Sequence, residues 1–146
     1  MKLTSDFEHN GIIPRKYTCD GEDIAPILNV SEVKSEAKEL VLIVDDPDAP
    51  MKDTWVHWVV YNIPADTIVI DENNLPEGTT LGMTDFGFSN WGGPCPPNGS
   101  HRYYFNLYAL DKQLNLEKGL TKKQVEEIIA PHVIDKAQLM GNYKRP

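Results

Sequence analysis

The sequence predicts a mainly β fold, largely antiparallel, closed by short helices at the C-terminus. Three apolar segments rich in β-branched and aromatic residues carry the strand signal, and Asp/Asn/Gly/Pro-rich connections separate them. Helical periodicity is confined to the last quarter of the 146 residues.

The run Glu39 to Asp45 is apolar and ends in a proline cluster, which suits a buried strand. A second strand covers Trp55 to Asn62 and closes at Pro64, and a third covers His101 to Leu110 with aromatic residues throughout. Shorter apolar pieces at Ile12-Ile13, Ile27-Leu28 and Thr67 to Ile70 predict edge strands. Long polar connections such as Asp71 to Thr80 lie between them, without repeats or low-complexity linkers. Near the end, Thr121-Lys122-Lys123-Gln124 fits a capping box, with Val125, Ile128 and Ile129 on one face of the helix it starts. Pro131 interrupts that helix, and the spacing of Val133, Ala137 and Met140 predicts a second short helix over His132 to Leu139.

A chain of this length is sufficient for one buried core, so residues 1–146 are read as one domain. With 40% hydrophobic and 25% charged residues the composition is that of ordinary globular proteins, not of disordered or fibrous ones. No apolar run spans a membrane, and the start Met1-Lys2-Leu3-Thr4 lacks a signal-peptide core, so a cytoplasmic location without integral membrane association is expected. The net charge of -8 argues against nucleic acid and anionic membrane as non-specific partners. It is uneven: residues 1–90 carry 6 basic and 17 acidic groups, residues 91–146 carry 8 and 5. Cys19 and Cys95 have no metal-type spacing, and a reduced pair is the expectation for a cytosolic protein, a disulfide for an exported or hyperthermophilic one.

The segment Gly92-Gly93-Pro94-Cys95-Pro96-Pro97-Asn98-Gly99-Ser100-His101-Arg102-Tyr103 is a rigid loop feeding a strand that begins with ionisable and aromatic groups. Alternation along strands places Trp55, His57, Val59 and Tyr61 on one face, and His101, Tyr103, Phe105 and Leu107 on another. The first strand ends in Asp45-Asp46-Pro47-Asp48-Ala49-Pro50, where Pro47 and Pro50 pin an extended path and Asp46 shares parity with Leu40, Leu42 and Val44. Singly, each residue has a bland explanation: a histidine among aromatics is more often a satisfied core residue, and Asp-Pro-Asp is more often a turn. Together they place two histidines, an aspartate and a tyrosine at strand ends beside proline-stiffened loops.

These segments carry a family resemblance. Asp46-Pro47-Asp48-Ala49-Pro50, Trp55-Val56-His57-Trp58, Gly93-Pro94-Cys95-Pro96-Pro97 and Gly99-Ser100-His101-Arg102-Tyr103 match, in order and spacing, the signatures of the phosphatidylethanolamine-binding protein (PEBP) family, which includes the Raf kinase inhibitor proteins. Thr18 to Pro26 and Tyr108-Ala109-Leu110-Asp111 resemble the bacterial and archaeal branch. The usual doubled proline and tryptophan after the Asp-Gly motif are replaced by Pro26-Ile27 and Asn29-Val30. The resemblance implies a large antiparallel central sheet packed with a smaller sheet, and a small surface pocket. It carries Asp46, His57, Gly93, Pro94, Pro96, Pro97, His101 and Tyr103 into that pocket, with Trp55 as an apolar lip and loop N–H groups as part of the cradle. Arg102, of opposite parity to His101, is expected to face away into a structural ion pair.

The implied function is non-enzymatic binding of a small anionic ligand, phosphate or a phosphoethanolamine-like head group, strengthening as pH falls through the histidine range. Regulation of a protein kinase or serine protease would follow from the same resemblance, with the loops Asp71 to Thr80 and Met83 to Trp91 as candidate inhibitory segments, and exposed strand edges make a homodimer possible. No cofactor is implied. The alternative is a hydrolase that uses Asp46, His57 and His101 as a metal site or as a general base. It lacks a recognisable nucleophile motif or metal-protease helix.

Overall fold

The computed structural model describes residues 1–50 and 53–146. Its strands are β1 (Lys2–Thr4), β2 (Gly11–Ile12), β3 (Leu28–Ser31), β4 (Glu39–Asp46), β5 (Trp55–Pro64), β6 (Val69–Ile70), β7 (Thr80–Leu81), β8 (Ser100–Leu110) and β9 (Val133–Lys144), with one helix, α1 (Lys122–Ile129). They form a six-stranded sheet in the order β2-β9-β8-β4-β5-β7 and a three-stranded sheet in the order β1-β3-β6. Pairing is antiparallel except for the short β2–β9 contact.

Strand β4 is buried along its whole length because both faces of the large sheet are covered. On one face Leu40, Leu42 and Val44 join Phe105 and Leu107 of β8 and meet Leu3, Leu28, Val30 and Ile70 of the small sheet. On the other, Val41, Ile43, Val59 and Tyr61 pack against Val125 and Ile129 of α1. A strand covered twice needs a continuous apolar run instead of an alternating one, which is what Leu40 to Val44 supplies. The α1 start is the predicted capping box: Gln124 N donates to Thr121 Oγ1 at 3.2 Å and Thr121 N donates to Gln124 Oε1 at 3.0 Å. Ile128 lies outside the buried stripe and is exposed.

Two expectations about elements require correction. The second C-terminal helix is absent: after a short 3-10 turn at Ala130–His132 the chain becomes β9, the longest strand. Ala137, Leu139, Gly141 and Tyr143 are buried alternately as β9 pairs with β8, so this period of two prevails over the coincidental helical spacing of Val133, Ala137 and Met140. The uniform alternation of β5 also fails. Val44 pairs with Trp58 whereas Asp45 pairs with Val56, so β5 carries one extra residue, His57. This bulge leaves Val59 and Tyr61 facing α1 while His57 turns toward Tyr103, its ring centroid 5.2 Å away. A second shift lies opposite Leu40 and Leu42, beside Asn62, which has φ of 54°.

Phe105 lies at the centre of the larger core, against the rings of Phe7 and Trp91. Phe105→Ala is expected to lower unfolding free energy by about 3–5 kcal/mol in urea titrations, the cost of an aromatic cavity that neighbouring rings cannot fill.

Candidate functional site

The end of β4, the bulge of β5 and the first residues of β8 converge on a cavity of about 210 Å³. Asp46, Trp55, His57, Pro96, Pro97, His101 and Tyr103 line it, together with Ala49, Pro50, Phe86 and Cys95. The register explains the convergence: Asp46 pairs with Trp55 across β4–β5, and His101 and Tyr103 share the β8 face that carries Phe105 into the core.

His101 Nδ1 donates to Asp46 Oδ2 at 2.6 Å, and Asp46 Oδ1 accepts from the Asp48 N–H at 2.7 Å. Both oxygens of this buried carboxylate are thus engaged, and it fixes the imidazole through Nδ1. His57 is held differently: its Nδ1–H donates to the Gly92 carbonyl at 2.5 Å, and the Gly92 N–H returns a bond to the His57 carbonyl at 3.1 Å. Only 3% of His57 is exposed, and burial holds its pKa below the ordinary histidine range, partly offset by the Gly92 carbonyl and the charges of Asp46, Asp45 and Asp85. Tyr103 is pushed well above the usual phenol range, first by burial and then by Asp46 and Asp48, so it keeps its hydroxyl proton. No hydrogen bond within the described residues engages that hydroxyl.

Asp48 turns outward. Arg102 grips it with Nε to Oδ2 at 2.9 Å and Nη2 to Oδ1 at 2.8 Å, and holds its carboxyl below the usual carboxylate range. The neighbouring Asp45 faces the opposite side of the sheet, where Lys122 at the start of α1 pairs with it and also donates to Thr54 Oγ1 at 3.1 Å. Among the described residues, neither Lys nor Arg lines the cavity.

The Gly/Pro loop forms the wall but not in the expected manner. Gly93 and Pro94 do not line the cavity. They fasten the loop from behind: Gly93 N donates to Asp23 Oδ1 at 2.9 Å, and Pro94 O accepts from Cys19 N at 3.1 Å. A Cβ on Gly93 would collide with Asp23 and the Tyr17 carbonyl, which is why glycine stands there. The anticipated cradle of loop N–H groups shrinks to that of Cys95, because those of Gly92 and Gly93 are already bonded and Pro94, Pro96 and Pro97 have none. Pro96 and Pro97 supply apolar wall, and no described peptide bond is cis.

The expectation of reduced thiols is overturned as well: Cys19 and Cys95 form a disulfide across 76 residues of sequence. Their spacing gives no local sign of contact, and pairing emerges only when the loop folds back over the segment around Cys19. Phe86 is the main cavity residue that sequence reasoning missed. It lies edge-on to Trp55 and His57 at 5.6 and 5.2 Å and stacks with Phe88 at 5.4 Å. Its only sequence signal is an aromatic pair inside an otherwise polar connection.

A family model described as phosphatidylethanolamine-binding protein matches residues 3–144. The chain belongs to this family. It is 50% identical to a UPF0098 protein of Methanothermobacter thermautotrophicus over 97% of each chain. A UPF0098 protein of Pyrococcus horikoshii is 43% identical, across 99% of this chain and 77% of that one. The crystal structure of a putative PEBP homolog from Chlamydia trachomatis superposes with a TM-score of 0.94 at 43% identity, covering 99% of this chain and 97% of that one. YbcL of E. coli, described as a member of the mammalian PEBP family, gives 0.91 at 27% identity, covering 99% and 98%. The two-sheet architecture is therefore that of the family. No helix among the described residues is long and apolar enough to cross a membrane. The described residues also contain no group of three or more His, Cys, Asp or Glu arranged to hold a metal ion.

Two outcomes follow from this geometry. Replacing both cysteines (C19S/C95S) is expected to lower unfolding free energy by about 2–4 kcal/mol and to speed amide exchange in residues 92–97, measured by denaturation and hydrogen exchange. For His57 the depressed folded-state pKa means that the unfolded chain takes up the proton first. Its contribution is constant above about pH 6.5 and is lost as pH falls below that value, by at most about 1.4 kcal/mol per pH unit. Urea midpoints from pH 8 to 5 should therefore fall less steeply for His57→Gln than for the natural protein.

Proposed function

We propose that this protein binds small phosphate-like anions, including phosphorylated head groups, in the cavity at the end of β4 and catalyses no reaction on them. The observation that carries this is the convergence of three polar groups with unused hydrogen-bonding capacity, on His57, His101 and Tyr103, in an otherwise apolar, half-enclosed space. At about 210 Å³ the cavity is smaller than the roughly 300–1,000 Å³ of sites for drug-sized ligands, and fits a head group or inorganic anion.

Binding chemistry follows from the two fixed imidazoles. The Asp46 carboxylate accepts Nδ1–H of His101 and compensates the charge of its protonated form, whose Nε2–H then donates to an anionic oxygen. The Tyr103 hydroxyl donates to a second oxygen. Trp55 and Phe86 exclude water from one side and strengthen both contacts. Hydrolysis is less well supported. Cys95 is consumed by the disulfide, and Ser100 is exposed next to His101 with the opposite strand parity, which leaves no serine or cysteine nucleophile beside the imidazoles among the described residues.

NMR titration with inorganic phosphate and phosphoethanolamine provides the test. Shifts are expected at His57, His101 and Tyr103 at millimolar ligand; Tyr103→Phe should weaken binding about fivefold and His101→Ala about tenfold or more. No shift at these three residues at millimolar phosphate overturns the proposal.

A further inference from the structure

We infer that the cavity selects anions that still carry a proton, because His57 presents a hydrogen-bond acceptor to the bound ligand. This inference rests on the anion-binding role proposed above and specifies the class of anion.

The tautomer of His57 is set by the backbone. With Nδ1–H committed to the Gly92 carbonyl at 2.5 Å, the neutral ring has its lone pair on Nε2, the nitrogen left for the cavity that His57 lines. The Gly92 carbonyl cannot be swapped for a donor by a side-chain rotation, since Gly92 N is simultaneously bonded to the His57 carbonyl at 3.1 Å. The aromatic surroundings also oppose a second proton on the ring: Phe86 and Tyr103 lie 5.2 Å away and Trp91 6.4 Å, none of them anionic. Among the described residues the charged groups that act on His57 are Asp46 in the cavity, Asp45 on β4 and Asp85 beside β5; His101 and Tyr103 line the same cavity, and Tyr103 keeps its proton.

An oxyanion entering this space meets a donor at Tyr103, an acceptor at His57 and, whenever the His101 ring carries both protons, a second donor at its Nε2. Hydrogen phosphate in either ionisation state near neutral pH retains a P–OH group, which donates to Nε2 while its other oxygens accept. Sulfate retains no proton near neutral pH. It would oppose an anionic oxygen to the lone pair and leave the buried Nε2 without a partner. Fixed acceptors of this kind discriminate strongly, because the wrong ligand loses the bond and still bears the desolvation. Phosphomonoesters fall between the two, since they lose their last proton near pH 6.

The test compares size-matched oxyanions by calorimetry and NMR at pH 7.5 and constant ionic strength. Phosphate and arsenate are expected to bind at least about tenfold more tightly than sulfate and selenate. Phosphoethanolamine should gain on phosphate as pH falls from 7.5 to 5.5. In His57→Gln, whose amide can turn a donor to the ligand, the phosphate-to-sulfate ratio should approach one. The ring-nitrogen chemical shifts of the natural protein supply a readout independent of that variant: Nε2 of His57 should show a bare, pyridine-type nitrogen. Equal affinities for phosphate and sulfate, or a protonated Nε2 at pH 7.5, overturn the selection while leaving anion binding intact. Failure of all four anions to bind overturns anion binding and the selection together.

Discussion

One extra residue in β5 determines what this site is. Were β5 to run opposite β4 without interruption, the side chain after Val56 could not join the Tyr103 face and still leave Val59 and Tyr61 against α1. The bulge at His57 resolves that conflict, so the strand serves the helix-covered core and the cavity at once. Its cost in lost ladder pairing is offset by the reciprocal bonds between His57 and Gly92, which replace sheet hydrogen bonding with loop hydrogen bonding. The Gly/Pro wall is therefore held by the same irregularity that aims the histidine.

The end of β4 distributes charge with similar economy. Three carboxylates within four residues point in three directions: Asp45 to Lys122 under α1, Asp46 to His101 in the cavity, and Asp48 to Arg102 at the surface. Strand alternation separates the first two, and the turn containing Pro47 redirects the third. Because each carboxylate has its own partner, Lys122 on α1 and His101 and Arg102 on opposite faces of β8, repulsion within the run is relieved and its path is fixed. The cavity receives one carboxylate, already hydrogen-bonded on both oxygens, and so remains open to an anion despite the acidic sequence around it.

Much of this was legible in the sequence, for identifiable reasons. The apolar run of β4, the aromatic alternation of β8 and the capping box at Thr121 depend on neighbours close in sequence, and they appear as read. Asp46, His57, His101 and Tyr103 were reachable because they sit at strand ends beside prolines. What escaped depends on register and long-range closure. A bulge has no residue signature at His57, β9 carries a spacing compatible with either period, and the Cys19–Cys95 pair meets only after the loop has folded back. The reduction of the N–H cradle to Cys95 was legible in part, since three of its six residues are prolines, but the commitments of Gly92 and Gly93 required the fold.

The disulfide divides the site in a way its contacts alone do not reveal. The covalent ring closed by Cys19 and Cys95 contains β3 to β7, and with them Asp46 and His57, whereas His101 and Tyr103 lie just beyond it on β8. Half of the cavity is thus tethered within one macrocycle, and the other half is attached to it by the β4–β8 ladder, the Asp46–His101 contact, the Arg102–Asp48 ion pair and ring packing such as Phe105 on Trp91. Detachment of β8 would separate the two imidazoles while leaving Asp46 and His57 confined to a common loop. Re-formation of the site then becomes the docking of a single strand onto a preassembled half.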